Sequence, residues 1–118
     1  MTPSEKEMLE MAAKAMGWLV DSFGNDGFAW IYDTTSQKDA SGEYRVYLWG
    51  PTLDPGDCAR MKTALRLDDS WIKDCVAVCH DKGSPAFIAR FTDHNNDSLA
   101  AWMHACTAVA AEIGRQTK

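Results

Sequence analysis

No run of apolar residues in this 118-residue chain comes near the ~20 needed to span a bilayer, which argues against a membrane protein. A Gly-rich phosphate loop, a nucleophile elbow and a Cys-x-x-Cys pair are also missing. Positive charge is short: 12 Lys and Arg stand against 17 Asp and Glu, a net charge of −5. That balance repels a phosphate backbone, so direct nucleic-acid binding is not expected, and it is too mild for a DNA mimic. The first residues, MTPSEKEML, are polar and acidic, unlike a signal peptide, so the expected compartment is the cytoplasm.

What is present reads as one domain over residues 1–118, with 46% apolar and 25% charged residues, ordinary for a globular protein. A chain of this length buries about two-thirds of its unfolded surface. The four cysteines, Cys58, Cys75, Cys79 and Cys106, read as free thiols in a reducing compartment. Cys75 and Cys79 fall in a strand pattern, roughly 13 Å apart on one face, too far to share a metal. No set of four convergent ligands is spaced for zinc, and no cofactor is implied.

Along the chain the pattern is regular. Thr2, Pro3 and Glu5 form a capping-box signature, and Met8, Leu9, Ala12, Ala15 and Met16 follow at helical spacing up to Gly17. WLVDSF and GFAWIYD flank Gly24, Asn25, Asp26 and Gly27, strong turn chemistry that predicts a hairpin. A polar loop of about ten residues, TTSQKDASGE, leads to a third strand in EYRVYLWG.

In WGPTLDPGDCARMKTALRL, Asp54 precedes Pro55, and Asp57 lies three residues after Asp54. This spacing predicts a capped helix with an acid answering its positive end. Two carboxylates at that helix start argue against a phosphate cradle. Cys58, Met61, Leu65 and Ala64 make its apolar face, and Trp49 and Pro51 are expected to pack beneath the turn rather than stand exposed. SWIKDCVAVC and PAFIARFTD then read as a hairpin turning at residues 80–84, and both faces of residues 75–79 are apolar or small, the mark of a strand covered on both sides by helices. In the last helix Leu99, Trp102, Met103, Cys106, Val109, Ala110 and Ile113 keep the helical period. Asn95, Asn96 or Asp97 caps its start and Gly114 ends it, with Arg115 and Lys118 at the negative end. The expected fold is an α/β (α+β) sandwich. It has a largely antiparallel sheet of about five strands and three helices, in the order α-β-β-β-α-β-β-α.

The opening helix EMLEMAAKAMG, the Trp-Gly-Pro segment running into LDPGDCARMKTALRL, and the closing DSLAAWMHACTAVAAEIGR resemble the phage ABA sandwich domain family, in order and over nearly the whole chain. That family consists of small proteins of tailed phages and prophages, with a Trp-Asn-Pro-Leu loop, Gly-Asp-Ala at a helix start, and a final helix closing near Ala-Glu-Ile-Gly-Arg. Trp49, Pro51, Leu53, Gly56 and Asp57 match it; Gly50 stands where Asn is usual, Thr52 is an extra residue before Leu53, and Cys58 replaces Ala. The resemblance implies an α/β sandwich and a phage origin, hence action in the host cytoplasm, but no agreed activity, so no catalytic residue carries over.

Chemistry has few candidates. His80 lies at a hairpin turn, His94 between Asp93 and Asn95, and His104 off the apolar stripe of the last helix. A His beside an Asp can act as a base, but nothing completes a constellation, so no catalytic residue is assigned. Five Trp are many for the length, and Phe28, Trp30, Tyr32, Tyr44, Tyr47 and Trp49 cluster in and beside loops. The acids include Asp33, Asp39, Glu43, Asp54, Asp57, Asp68 and Asp69. The expected function is a non-catalytic accessory module that docks on a host protein or complex with a basic surface and inhibits it, as anti-CRISPR proteins do. Trp49, Asp54, Asp57, Asp68 and Asp69 are its candidate contacts. Two alternatives stay open: a small-ligand (nucleotide) sequestering protein, against which Arg45, Arg60, Lys62, Arg66 and Arg90 are scattered, and a small enzyme using loop His and Asp. A homodimer is also left open.

Overall fold

The computed structural model describes residues 2–24, 26–34 and 37–117, with the side chain of Lys82 also outside the description. Asn25 of the expected turn, residues 35–36 of the polar loop, and Lys118 lie outside the described residues. The chain is α+β: helix α1 (Pro3–Ala15), strands β1 (Leu19–Phe23), β2 (Ala29–Asp33) and β3 (Arg45–Trp49), helix α2 (Pro55–Leu65), strands β4 (Asp68–Ile72), β5 (Cys75–Cys79) and β6 (Ala86–Arg90), and helix α3 (Ser98–Gln116). No helix is long and apolar enough to cross a membrane among the described residues.

The expected sheet of about five strands is corrected. Six strands form two separate three-stranded antiparallel sheets, ordered β1-β2-β3 and β4-β5-β6. The strand missing from the sequence reading is β4. Residues 70–79 read as one continuous strand, but Ile72 pairs with Cys75, so Lys73 and Asp74 form a two-residue hairpin link. Neither is Gly or Asn, so the usual signal for such a turn is absent.

The helix starts follow the sequence. Thr2 accepts from the Glu5 N–H at 3.2 Å while Glu5 accepts from the Thr2 N–H at 3.1 Å, completing the capping box. Asp97 caps α3 by accepting from the N–H groups of Leu99 and Ala100. The expected end of α3 at Gly114 is corrected: the helix runs on to Gln116, and Gly114 is buried. A Cβ built on Gly114 would lie 1.8 Å from the Met11 carbonyl oxygen, so this glycine is where α1 touches α3. Glu5 and His104 wall one small cavity, and farther along Glu7 pairs with Arg115. Ala12, Ala13, Ala101, Ala105 and Ala110, all fully buried, belong to the same core and keep these helices slim.

One core joins both sheets to the helices: Ala29, Ile31 and Trp49 from the first sheet, and Val76, Val78 and Ala89 from the second, cluster with Leu9, Met61, Cys106 and Val109. Each sheet gives the core one face. In β5, Val76 and Val78 are buried while Cys75, Ala77 and Cys79 on the other side are only half-buried. The expectation that helices cover both faces of residues 75–79 is thereby overturned: α3 packs against this sheet, and on the face away from the core Ile72 and Ile88 stand exposed beside the half-buried Cys75, Ala77 and Cys79.

Candidate functional site

The 49–67 segment is a built corner, not an open loop. Asp54 caps α2 by accepting from the Gly56 N–H at 3.0 Å. Asp57 does more than answer the helix end. It is 8% exposed, accepts from the buried Gly50 N–H at 3.0 Å, and holds Arg60 at 2.6 Å. Gly50 has no room for a side chain, since a Cβ there would lie 2.4 Å from the Phe28 ring. That accounts for glycine where the phage pattern has Asn. Trp49 is 3% exposed, packs edge-on against Trp18 with ring centroids 5.5 Å apart, and Pro51 is fully buried.

Of the candidate contacts read from the sequence, Trp49 and Asp57 are therefore interior. Asp69 is held by the Trp102 indole N–H at 2.8 Å and by Lys62 at 3.8 Å, and Asp54 is engaged in its cap. Asp68 alone is exposed and, among the described residues, makes no ion pair. The five do not form one patch.

Two of the four thiols are closed off from solvent. All four are free, and Cys58 and Cys106 are fully buried. A hydrogen bond with Cys106, with burial behind it, holds the Cys58 thiol far above its ordinary value, so it is not a thiolate. Among the described residues no group of three or more His, Cys, Asp or Glu is placed to hold a metal ion.

Two of the three histidines do meet. The His94 and His104 rings lie 5.0 Å apart, and Phe87 stands edge-on to His104 at 5.4 Å. Their sequence separation hid this, because His94 sits on the 3-10 turn before α3 and only the fold brings it over that helix. Burial first, and the charge of His94 second, lower the pKa of His104 from its ordinary 6.5. The folded state thus resists a proton that the unfolded chain accepts. The contribution is fully present above pH 6.5 and is lost as pH falls from there through the lowered folded value. The native protein should lose stability as pH falls below 6.5, and His104→Gln should flatten that slope in urea titrations. An unchanged slope in the variant would show that His104 is not the group responsible.

A cleft of about 500 Å³ lies between the inner side of the first sheet and α2. Trp18, Ile31, Tyr47 and Trp49 give it apolar walls, and Asp33, Asp57 and Arg60 are its charged residues. Arg60 is already paired with Asp57, so two carboxylates and one engaged cation face the space. That is the wrong charge for a nucleotide phosphate.

The other side of the same sheet is the most conspicuous surface. Register places Leu19, Tyr32 and Val46 in one row and Ser22, Trp30 and Leu48 in the next, all facing away from the core. Trp30 is 44% exposed, and Leu19, Val46 and Leu48 are exposed as well. Asp21 borders this face and accepts from the Tyr32 hydroxyl at 3.1 Å. Sequence alternation carried this signal in AWIYD and RVYLW, where both alternate sets are apolar, but could not say which set the core would claim.

No family model matches the chain, and comparison with curated proteins and with solved structures yields no significant match. The resemblance to phage ABA sandwich domains thus rests on the quoted motifs alone. Fold and surface define a small α+β domain with an exposed aromatic sheet face.

Proposed function

We propose that this protein is a non-catalytic binding module that docks on a basic protein partner through the outer face of β1, β2 and β3. The carrying observation is the exposed Trp30, set among Leu19, Tyr32, Val46 and Leu48 on the outer sheet face. Trp and Tyr are the residues that most often dominate binding energy at protein interfaces, and a contiguous exposed apolar patch is costly to keep unless something covers it. The net charge of −5 favours encounter with a positively charged partner. Taken with the phage-family resemblance, the partner class is a host protein or complex, and the action is stoichiometric inhibition of an anti-defence, anti-CRISPR kind. Direct contact then belongs to the Trp30 face, and the acids near residues 54–69 act mainly through long-range attraction. The nucleotide-sequestering reading is weakened by the two carboxylates in the cleft.

The test is capture from host lysate with the immobilised native protein, Trp30→Ala and Leu48→Ser side by side. The native chain should retain one dominant protein at near-equal stoichiometry, less of it as salt rises. Trp30→Ala should lose at least about 30-fold in affinity, the ~2 kcal/mol of an interface hot spot. Retention unaffected by either substitution, or a bound small molecule with no protein partner, overturns the reading.

A further inference from the structure

The β4-β5-β6 sheet has an outer face of a different kind. Register sets it out as a grid of three rows: Asp68, Cys79 and Ala86; Ser70, Ala77 and Ile88; Ile72, Cys75 and Arg90. Six of these nine residues are apolar or thiol-bearing. Ile72 is 54% exposed and Ile88 is 62% exposed. Its two charges, Asp68 and Arg90, occupy opposite corners, and among the described residues neither makes an ion pair. The middle strand, CVAVC, has the composition of a strand buried on both faces, yet α3 covers only one of them.

This arrangement is self-complementary. A two-fold axis lying in the plane of the face, near the diagonal from Ile72 to Ala86, turns a second copy onto the first. It lays Asp68 over the second copy's Arg90 and Arg90 over the second copy's Asp68, with Ile72 meeting its own counterpart and Ile88 over the second copy's Cys79. The strands of the two copies then cross at about 90°, one of the two standard ways in which sheets pack face to face. The same patch on both subunits, with each contact made twice, is what a two-fold dimer requires. We infer that the outer face of β4-β5-β6 is a homodimer interface in which paired Asp68–Arg90 contacts set the orientation of two orthogonally packed sheets.

Surface area agrees in sign and sets the strength. The protein exposes 7108 Å². A compact monomer of 13.1 kDa exposes about 6,400 Å², so this chain carries about 700 Å² more than its mass calls for. Three strands of five residues make a face of about 14 by 17 Å. Two such faces, each about 240 Å² in outline, bury roughly 500 Å² together, below the size of stable specific interfaces, so the dimer is weak and exchanging and forms only at high protein concentration. It would present two Trp30 faces at once, giving the binding module two contacts with a repeated or dimeric target.

Charge reversal tests the geometry directly, by sedimentation equilibrium on the full chain over a wide concentration range. The native chain should show a monomer–dimer equilibrium. Asp68→Arg alone faces two cations with each other, and Arg90→Asp alone faces two anions, so each should weaken self-association at least about tenfold. Mixed in equal amounts, the two variants should regain dimers, because each then supplies the charge the other lacks. Circular dichroism confirms that both variants are folded, as exposed strand positions allow. Trp30→Ala, which removes the partner-binding face, should dimerise like the native protein, so failure of this inference and failure of the proposed function are distinguishable. A native chain that stays monomeric at every concentration overturns the inference. So do single variants that dimerise like the native chain, a mixture no more dimeric than its components, or a dimer lost in Trp30→Ala.

Discussion

Gly114→Ala should be the most damaging single-methyl substitution in this protein, costing at least about 3 kcal/mol and lowering the melting temperature by about 10 °C or more. The added carbon would have to occupy space 1.8 Å from the Met11 carbonyl oxygen and 2.6 Å from its carbon. These are backbone atoms of α1, with no rotamer to escape into, so relief requires the two helices to move apart. Separation would open gaps beside the buried alanines Ala12, Ala13, Ala110 and Ala111, which have no spare atoms to fill them. Gly42→Ala is the control. Its Cβ meets nothing within 4 Å, and the cost there is only that of a positive φ of 83°, about 1 kcal/mol. Urea unfolding of the two variants decides the matter, and equal losses would mean that the helix contact is loose enough to absorb a methyl group.

Asp57→Ala should cost about 2–3 kcal/mol, against about 1 kcal/mol for Asp54→Ala three residues earlier. The two acids look alike in sequence, one as cap and one as first-turn acid. Asp54 serves a helix end that is partly open to water, where solvent replaces much of what is lost. Asp57 accepts from the Gly50 N–H, which is buried beside Trp49, Pro51 and Phe28, so its removal strands a donor away from water. Arg60 adds little, being 71% exposed at its side chain. Equal urea midpoints for the two variants would show that the Gly50 contact is dispensable.

Both expectations turn on contacts between residues far apart in the chain or on different elements, and this is where sequence reading stopped. The three helices, the caps at Thr2 and Asp54, the narrowing of the third cap to residues 95–97, and five of the six strands were legible because each depends on residues a few positions apart: a capping side chain, a proline, a period of two or 3.6. Burial of Trp49 and Pro51 also followed, since large apolar groups beside a capped turn have little other use. β4 did not, because its turn at Lys73 and Asp74 carries no glycine or asparagine and its first residues are two aspartates.

The sequence by itself determined an acidic α+β domain with well-capped helices and more aromatic residues than one small core consumes. The tertiary structure alone decided which of them stay outside. AWIYD, RVYLW and CVAVC are largely apolar on both alternating faces, broken only by Asp33 and Arg45 at strand ends, and a strand cannot reveal which of two such faces will meet a helix, because register and layer order depend on long-range packing. Packing gave Ile31, Trp49, Val76 and Val78 to the core and left Trp30, Leu48, Ile72 and Ile88 facing water. It likewise drew Asp57 inward, leaned Asp69 against Trp102, and left Asp68 and Arg90 at opposite corners of a face that only pairing of β4, β5 and β6 could assemble.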